Sequence, residues 1–262
     1  MPKSNSSIRC FEGSAEPHAA FWSWKVLDAV DGGADGGAEL SFIGVISEYS
    51  WMEDAVTPKN FARDLAKFGK GGPIQIRMHS PGGEIFAAGA IASMLGSYKG
   101  KKTVVIDGLC ASAAVMVALS ADTVKISDTA YMMIHNPYYS ALMGQLDAEA
   151  LKKIAVELET FTTGMLAAYE SRTGIPQDEL RTMLDAETWM TAAQAVEKGF
   201  ADEVISGNSV GKTKPTELKN FVNVPGELLN MADEVEQSAA DLELERQAQA
   251  LRDEIDLYKE QK

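Results

Sequence analysis

The sequence predicts a layered α/β fold over about residues 21–206, and three observations predict it. Short apolar segments of strand character alternate with longer segments of helical periodicity. Two strand segments run into turns of small residues that open helices, at "HSPGGEIF" and at "DGLCASAA". One segment, residues 147–174, keeps a helical pattern throughout; at about 1.5 Å per residue it spans roughly 35–40 Å.

Residues 1–20 are polar and are expected to be a flexible N-terminal segment. Aromatic and β-branched content makes strands of 21–29 and 38–46, and the glycine-rich "VDGGADGGA" between them suits a hairpin tip. Residues 57–68 read as a helix, with Thr57 as cap, Pro58 in the first turn and Phe61, Leu65 and Phe68 at helical spacing. Ile74, Ile76 and Met78 alternate in a strand over 73–80, and a helix follows over 84–98. Residues 102–108 are a further strand, and "DGLCASAAVMVALSA" (107–121) reads as a helix with Ser112 in its first turn. Short strands are expected at 122–127 and 130–136, and helices at 176–184 and 192–199. The last carries a capping box, Thr191 with Gln194, and a terminating glycine, Gly199. Residues 207–227 have linker composition, from "GNSVGKTKPTE" onward. From Leu228 to Lys262 ten acidic residues outnumber four basic ones, and Val235, Ala239, Leu242, Leu251, Ile255 and Tyr258 fall near one helical stripe. An acidic amphipathic helix and a disordered tail both fit that pattern.

Composition narrows the function classes. A chain of 262 residues with 45% hydrophobic and 24% charged residues is ordinary for a globular domain with extensions. A net charge of −14 disfavours binding to a phosphate backbone, so no nucleic-acid partner is expected. No apolar run reaches the roughly 20 residues of a membrane span, and the N-terminus lacks an apolar signal core. No membrane partner is expected, and the default location is the cytoplasm. The two cysteines, Cys10 and Cys110, and the three histidines, His18, His79 and His135, show no metal spacing, so no metal is expected.

The chemistry concentrates around the two small-residue turns. Each can present backbone N–H groups at a helix start, where the helix dipole favours negative charge. Side by side they would make an oxyanion hole next to the Ser112 hydroxyl. A serine nucleophile needs a base, and His135 ends a strand that can reach the same edge. The base needs an acid to orient it, and "LDAETWM" offers Asp185 and Glu187. Neither strand carries a G-x-x-x-x-G-K-S/T or G-x-G-x-x-G run, so no nucleotide cofactor is expected. Each residue alone also has an ordinary explanation. A serine among alanines packs, "SPGG" turns the chain, and a carboxylate before a helix caps it; their order along the chain is what points to a shared site.

"SPGG", "GLCASAA", "MMIHNP" and "ETWMTAAQAVEKGFAD", in that order, resemble the Clp peptidase (ClpP) family of serine proteases. The chain looks most like the Clp-related head maturation (prohead) proteases of tailed phages. The resemblance covers about residues 21–206 and implies a crotonase-like fold of repeated ββα units, with 147–174 as its long handle helix. It implies a serine endopeptidase without cofactor in which Ser112 is the nucleophile and His135 the general base. Gly83 and Ala113 would supply the oxyanion-hole N–H groups, and Ser80, Pro81 and Gly82 would support an extended substrate strand. The family usually has Asp where this chain has Glu187; Glu187 is the expected acid, and Asp185 is the alternative. Asp202 in "GFAD" is expected to be structural, and Cys110 to be a small buried neighbour.

The resemblance further implies a homo-oligomeric ring, capsid and scaffold precursors as substrates, self-cleavage of the tail, and a site within the assembling procapsid. It also allows an ATPase unfoldase partner. Three other readings share the fold. An acyl-CoA hydratase or isomerase would use carboxylate bases, a serine–lysine peptidase would not need His135, and a structural ring component would carry an inactive site.

Overall fold

In the computed structural model the described residues are 22–26, 37–49, 55–139, 146–206, 218, 221–226 and 228. The expectations for residues 1–20, for the hairpin tip, for most of the linker and for nearly all of the tail lie outside them. The chain divides into two units, Met1–Gly211 and Lys212–Lys262. In the second, the described backbone makes two short turns, with the Phe221 N–H donating to the Leu218 carbonyl and the Leu228 N–H to the Pro225 carbonyl.

The first unit is built on a mixed sheet. Strands β1 (Trp22–Val26) and β2 (Ala38–Ile43) pair antiparallel, as the expected hairpin requires. Strands β3 (Ile74–Ser80), β4 (Lys102–Ala111), β5 (Thr123–Ser127) and β8 (Glu203–Ile205) follow β2 in parallel order. Alternation decides which face is core. Leu40, Phe42, Ile76, Met78, Val104, Ile106, Val124 and Ile126 are fully buried. They share one apolar cluster with Ala87, Ala88, Ile91 and Leu95 of helix α2 (Ile85–Ser97) and with Val115 and Val117 of α3 (Ala113–Ala118). Removing these side chains from water supplies the main driving force for the layers, at about 25 cal/mol per Å² of apolar surface.

Local signals fix most helix ends. The Thr57 hydroxyl accepts the Asn60 N–H at 3.2 Å and starts α1 (Pro58–Asp64), which continues as a π-helical turn, Leu65–Gly69. Asp147 caps α4 (Ala148–Thr173), and Gly174 ends it in the left-handed conformation at φ 75°. The handle position is therefore a continuous helix, buried at Thr162, Met165, Leu166 and Tyr169 in its C-terminal half. After α5 (Gln177–Asp185), the Thr191–Gln194 capping box forms as expected and opens α6 (Ala192–Glu197). Asp202 is structural as expected: its carboxylate accepts from the Val124 N–H and from Arg172, each at 2.7 Å, tying β5 to α4. No helix among the described residues is long and apolar enough to cross a membrane.

Two expectations need correction. Residues 107–111 are not helix: β4 runs to Ala111, and only Ala113–Ala118 are helical. Ser112 therefore precedes the helix rather than lying in its first turn. The cause is a branch of the sheet that the local sequence does not announce. Strand β6 (Tyr131–Ile134) pairs parallel with Leu109–Ala111. Strand β7 (Thr188–Thr191), within a stretch read only as the approach to a helix, pairs antiparallel with β6. Pairing partners override the helical look of "LCASAA".

Candidate active site

The site begins at a bulge in β4. Pairing of β3 with β4 is regular from Ile74–Lys102 to Met78–Ile106, and then resumes at Ser80–Cys110, so β4 carries extra residues around Asp107 and Gly108. The first part of β4 pairs with β5 and the last part with β6. Asp107, at the bulge, is buried, and Arg77 holds both its oxygens. Burial pushes the Asp107 carboxyl above its usual range, against the pull of that guanidinium.

Ser112 follows at once, at φ 55° and ψ −127°. A side chain other than glycine is held in such a conformation only when its surroundings over-determine it. Here the Ser112 N–H donates to the Met133 carbonyl at 2.8 Å, and the neighbouring residues on both sides are buried. The result is a sharp strand-to-helix turn with the hydroxyl at its apex, the geometry of a nucleophile elbow.

Register brings the partners. Ala111 pairs with Met133, so Ser112 lies beside the end of β6, where His135 leaves the sheet. Ile134 pairs with Thr188, so the next residues outward on the two strands are His135 and Glu187. The Ser112 Oγ and the His135 Nε2 are 2.7 Å apart. Burial holds the His135 imidazole below the usual histidine range, and the nearby Glu187 carboxylate pulls it back up. Glu187 sits at φ 48°, and its Oε1 accepts from the Trp189 indole N–H at 3.4 Å. Asp185, the alternative acid, is engaged elsewhere: its Oδ1 accepts from the Asn136 side-chain amide at 2.7 Å. The Tyr138 ring lies 5.4 Å from the His135 ring, centroid to centroid.

"SPGG" supplies the other wall. Gly82 and Gly83 adopt φ 94° and 145°. A Cβ on Gly82 would lie 2.6 Å from the Ala111 carbonyl and 2.8 Å from the Ser112 Cβ. One on Gly83 would lie 2.0 Å from the Ile46 carbonyl. Only glycine lets this loop pack on the elbow. The Ile46 N–H donates to the Gly82 carbonyl and the Glu84 N–H to the Ile46 carbonyl. That bridge leaves the Gly83 N–H pointing away from Ile46, while Ala113 contributes the first N–H of α3. Ser80 is fully buried; its hydroxyl donates to the Gly44 carbonyl and accepts the Gly82 N–H at 3.2 Å, so it shapes the turn directly. Cys110 is fully buried, and its thiol is pushed well above the usual range, which suits a packing residue and not a nucleophile.

Ser112, His135 and Glu187 are thus brought together, with Gly82, Gly83 and Ala113 alongside, while the Asp185 Oδ1 is bound by the Asn136 amide. Sequence reasoning missed three contributors: Ile46, Asn136 and Trp189. Asn136 had a signal, since it adjoins the candidate base; Ile46 and Trp189 had none without the register.

The fold and this site define a class: an α/β protein of the ClpP/crotonase-like fold with a serine–imidazole pair at its strand ends. The chain belongs to the Clp protease family, whose model matches residues 64–208. Among its relatives is the ATP-dependent Clp protease proteolytic subunit 1 of Protochlamydia amoebophila (strain UWE25), 32% identical over 139 residues, which are 52% of this chain and 66% of that protein. The protein of the same description from Chlamydia muridarum (strain MoPn / Nigg) is 27% identical over 165 residues, or 59% of this chain and 84% of that one. The first is thus matched over just under two thirds of its length. A solved structure of a ClpP1 mutant from Listeria monocytogenes superposes with a TM-score of 0.54 at 20% identity, covering 63% of this chain and 90% of that one, and supports the fold.

Proposed function

We propose that the chain is a ClpP-type serine endopeptidase. The observation that carries this reading is the 2.7 Å contact between the Ser112 hydroxyl and the His135 Nε2. In the mechanism, the Ser112 Oγ attacks a peptide carbonyl while His135 takes its proton. Burial favours the neutral form of His135, the form that acts as base, against the opposing pull of Glu187. Glu187 stabilises the imidazolium that forms. The Gly83 and Ala113 N–H groups receive the oxyanion of the tetrahedral intermediate. His135 then protonates the leaving amine, and water, with His135 again as base, hydrolyses the acyl-enzyme. A Ser–His pair weighs against the acyl-CoA reading, whose chemistry uses carboxylate bases.

For substrates, we propose capsid and scaffold precursors processed during phage head maturation by a homo-oligomeric ring. The support is the motif resemblance, together with the acidic segment that extends beyond residue 208, where the family match ends. Exposed Leu151 and Val156 on the first half of α4 are compatible with contacts between subunits. The test is incubation with candidate precursors, N-terminal sequencing of the products and intact-mass measurement of the chain itself. The expected result is precursor cleavage and a shortened tail with the wild type, and neither with Ser112→Ala. Intact precursors with an active wild type would overturn the substrate assignment.

A further inference from the structure

Asp185 is close to the centre in sequence, and its Oδ1 accepts from the Asn136 side-chain amide. The ladder between β6 and β7 ends at Ile134–Thr188. Just outward stand His135 and Glu187, beyond the last ladder pair. One step further out, the Asn136 Nδ2 donates to the Asp185 Oδ1 at 2.7 Å. His135 and Glu187 are therefore enclosed between a backbone pair on one side and a side-chain bond on the other. Glu187 needs such restraint, because φ 48° is a conformation that a residue with a long side chain keeps only when held. Backbone bonds hold it from the helix side: the Glu187 N–H donates to Leu184 and the Ala186 N–H to Thr182. The Trp189 indole N–H holds the Glu187 carboxylate, and Asn136–Asp185 adds a side-chain link beyond the His135–Glu187 position.

Asn136 is also maintained at a cost. With its amide N–H turned to Asp185, its Oδ1 is buried and has no hydrogen-bond partner among the described residues. A buried acceptor left without a donor destabilises a fold. Reversing the amide would satisfy neither end, since it would set two oxygens against each other. Such a residue beside the base is explained by what it positions.

We propose that Asn136 and Asp185 form a bracket that fixes the approach of Glu187 to His135, and that Asp185 is a positioning residue rather than the acid of the site. The inference rests on the serine-peptidase reading above. The alternative role for Asp185, as direct partner of the imidazole, predicts a different pattern of variants, so the two are separable.

The test uses the full-length chain and a fluorophosphonate, measuring the maximal rate and half-saturating concentration for labelling of Ser112. Asn136→Ala and Asp185→Ala are each expected to lower the maximal rate roughly tenfold, the scale of a small misalignment of catalytic groups, with half-saturation unchanged. The double variant is expected to be no slower than either single one, because both remove the same bond. The exchanged pair, Asn136→Asp with Asp185→Asn, restores a donor–acceptor bond and is expected to recover most of the rate. Recovery also shows that the losses are not failures of folding. Unchanged rates in both single variants, multiplied losses in the double, or a loss in Asp185→Ala as deep as in Glu187→Ala would overturn the bracket. A wild type that does not label at Ser112 would overturn the peptidase reading itself, and the bracket with it.

Discussion

Ser112, His135 and Glu187 are each held in place by a different device. Ser112 is set by a strained backbone, His135 by burial at the end of a short strand, and Glu187 by a turn at positive φ. The electrostatics of the imidazole follow from the last two. Burial lowers its proton affinity and Glu187 raises it. The neutral ring is the base, so activity should rise with pH as His135 loses its proton. Its midpoint should lie below the ordinary histidine value of about 6.5. Glu187→Gln removes the raising influence and leaves burial unopposed. The acidic limb of kcat/KM is therefore expected to move to lower pH while the plateau falls, by about 10²–10⁴-fold. A limb that moves to higher pH, or a plateau that is unchanged, would show that Glu187 does not act on His135.

At the scale of elements, what makes the site is the branching of the sheet at the β4 bulge. β4 leaves β5, turns, and joins β6, and "SPGG" packs against the turn. The close approach of Gly83 to Ile46 gives a direct check. In Gly83→Ala the new Cβ, 2.0 Å from the Ile46 carbonyl at a φ of 145°, must force the loop away from the elbow. The expected outcome is a loss of activity of about 10²-fold or more through the displaced amide, with Ser112 and His135 unaltered in sequence. Steady-state assays alongside a thermal melt separate this from simple unfolding. These elements also mark what the sequence discloses. The Thr57, Asp147 and Thr191 caps, the Gly174 stop and the Ile74–Ile76–Met78 alternation are local signals, and the structure follows them. β7 and the outer half of β4 depend on partners more than 20 residues away, Met133 and Trp189 among them, and no local pattern announces those. The placement of Glu187 opposite His135 belongs to the same class, since it follows from the register at Ile134–Thr188. Ser112 and His135 were legible through their order along the chain, the bracket through Asn136 was not.

Across the whole molecule, the match to the Clp protease family ends at residue 208, and an acidic segment continues to Lys262. The matched residues 64–208 include Ser112, His135 and Glu187, and the chain extends beyond the family model on both sides of them. In the chain, α4 lies between His135 and the α5 turn that precedes Glu187, and it is buried at Thr162, Met165, Leu166 and Tyr169. If subunits associate through α4, as the exposed Leu151 and Val156 suit, assembly and catalysis are measured best on the same sample. The most direct measurement of the central claim is fluorophosphonate labelling of the full-length protein in its native oligomeric state, mapped by peptide mass spectrometry. The account predicts a single labelled residue, Ser112, and loss of both label and peptide cleavage in Ser112→Ala at unchanged oligomeric size. Label on another residue, or cleavage by Ser112→Ala at the wild-type rate, would contradict it.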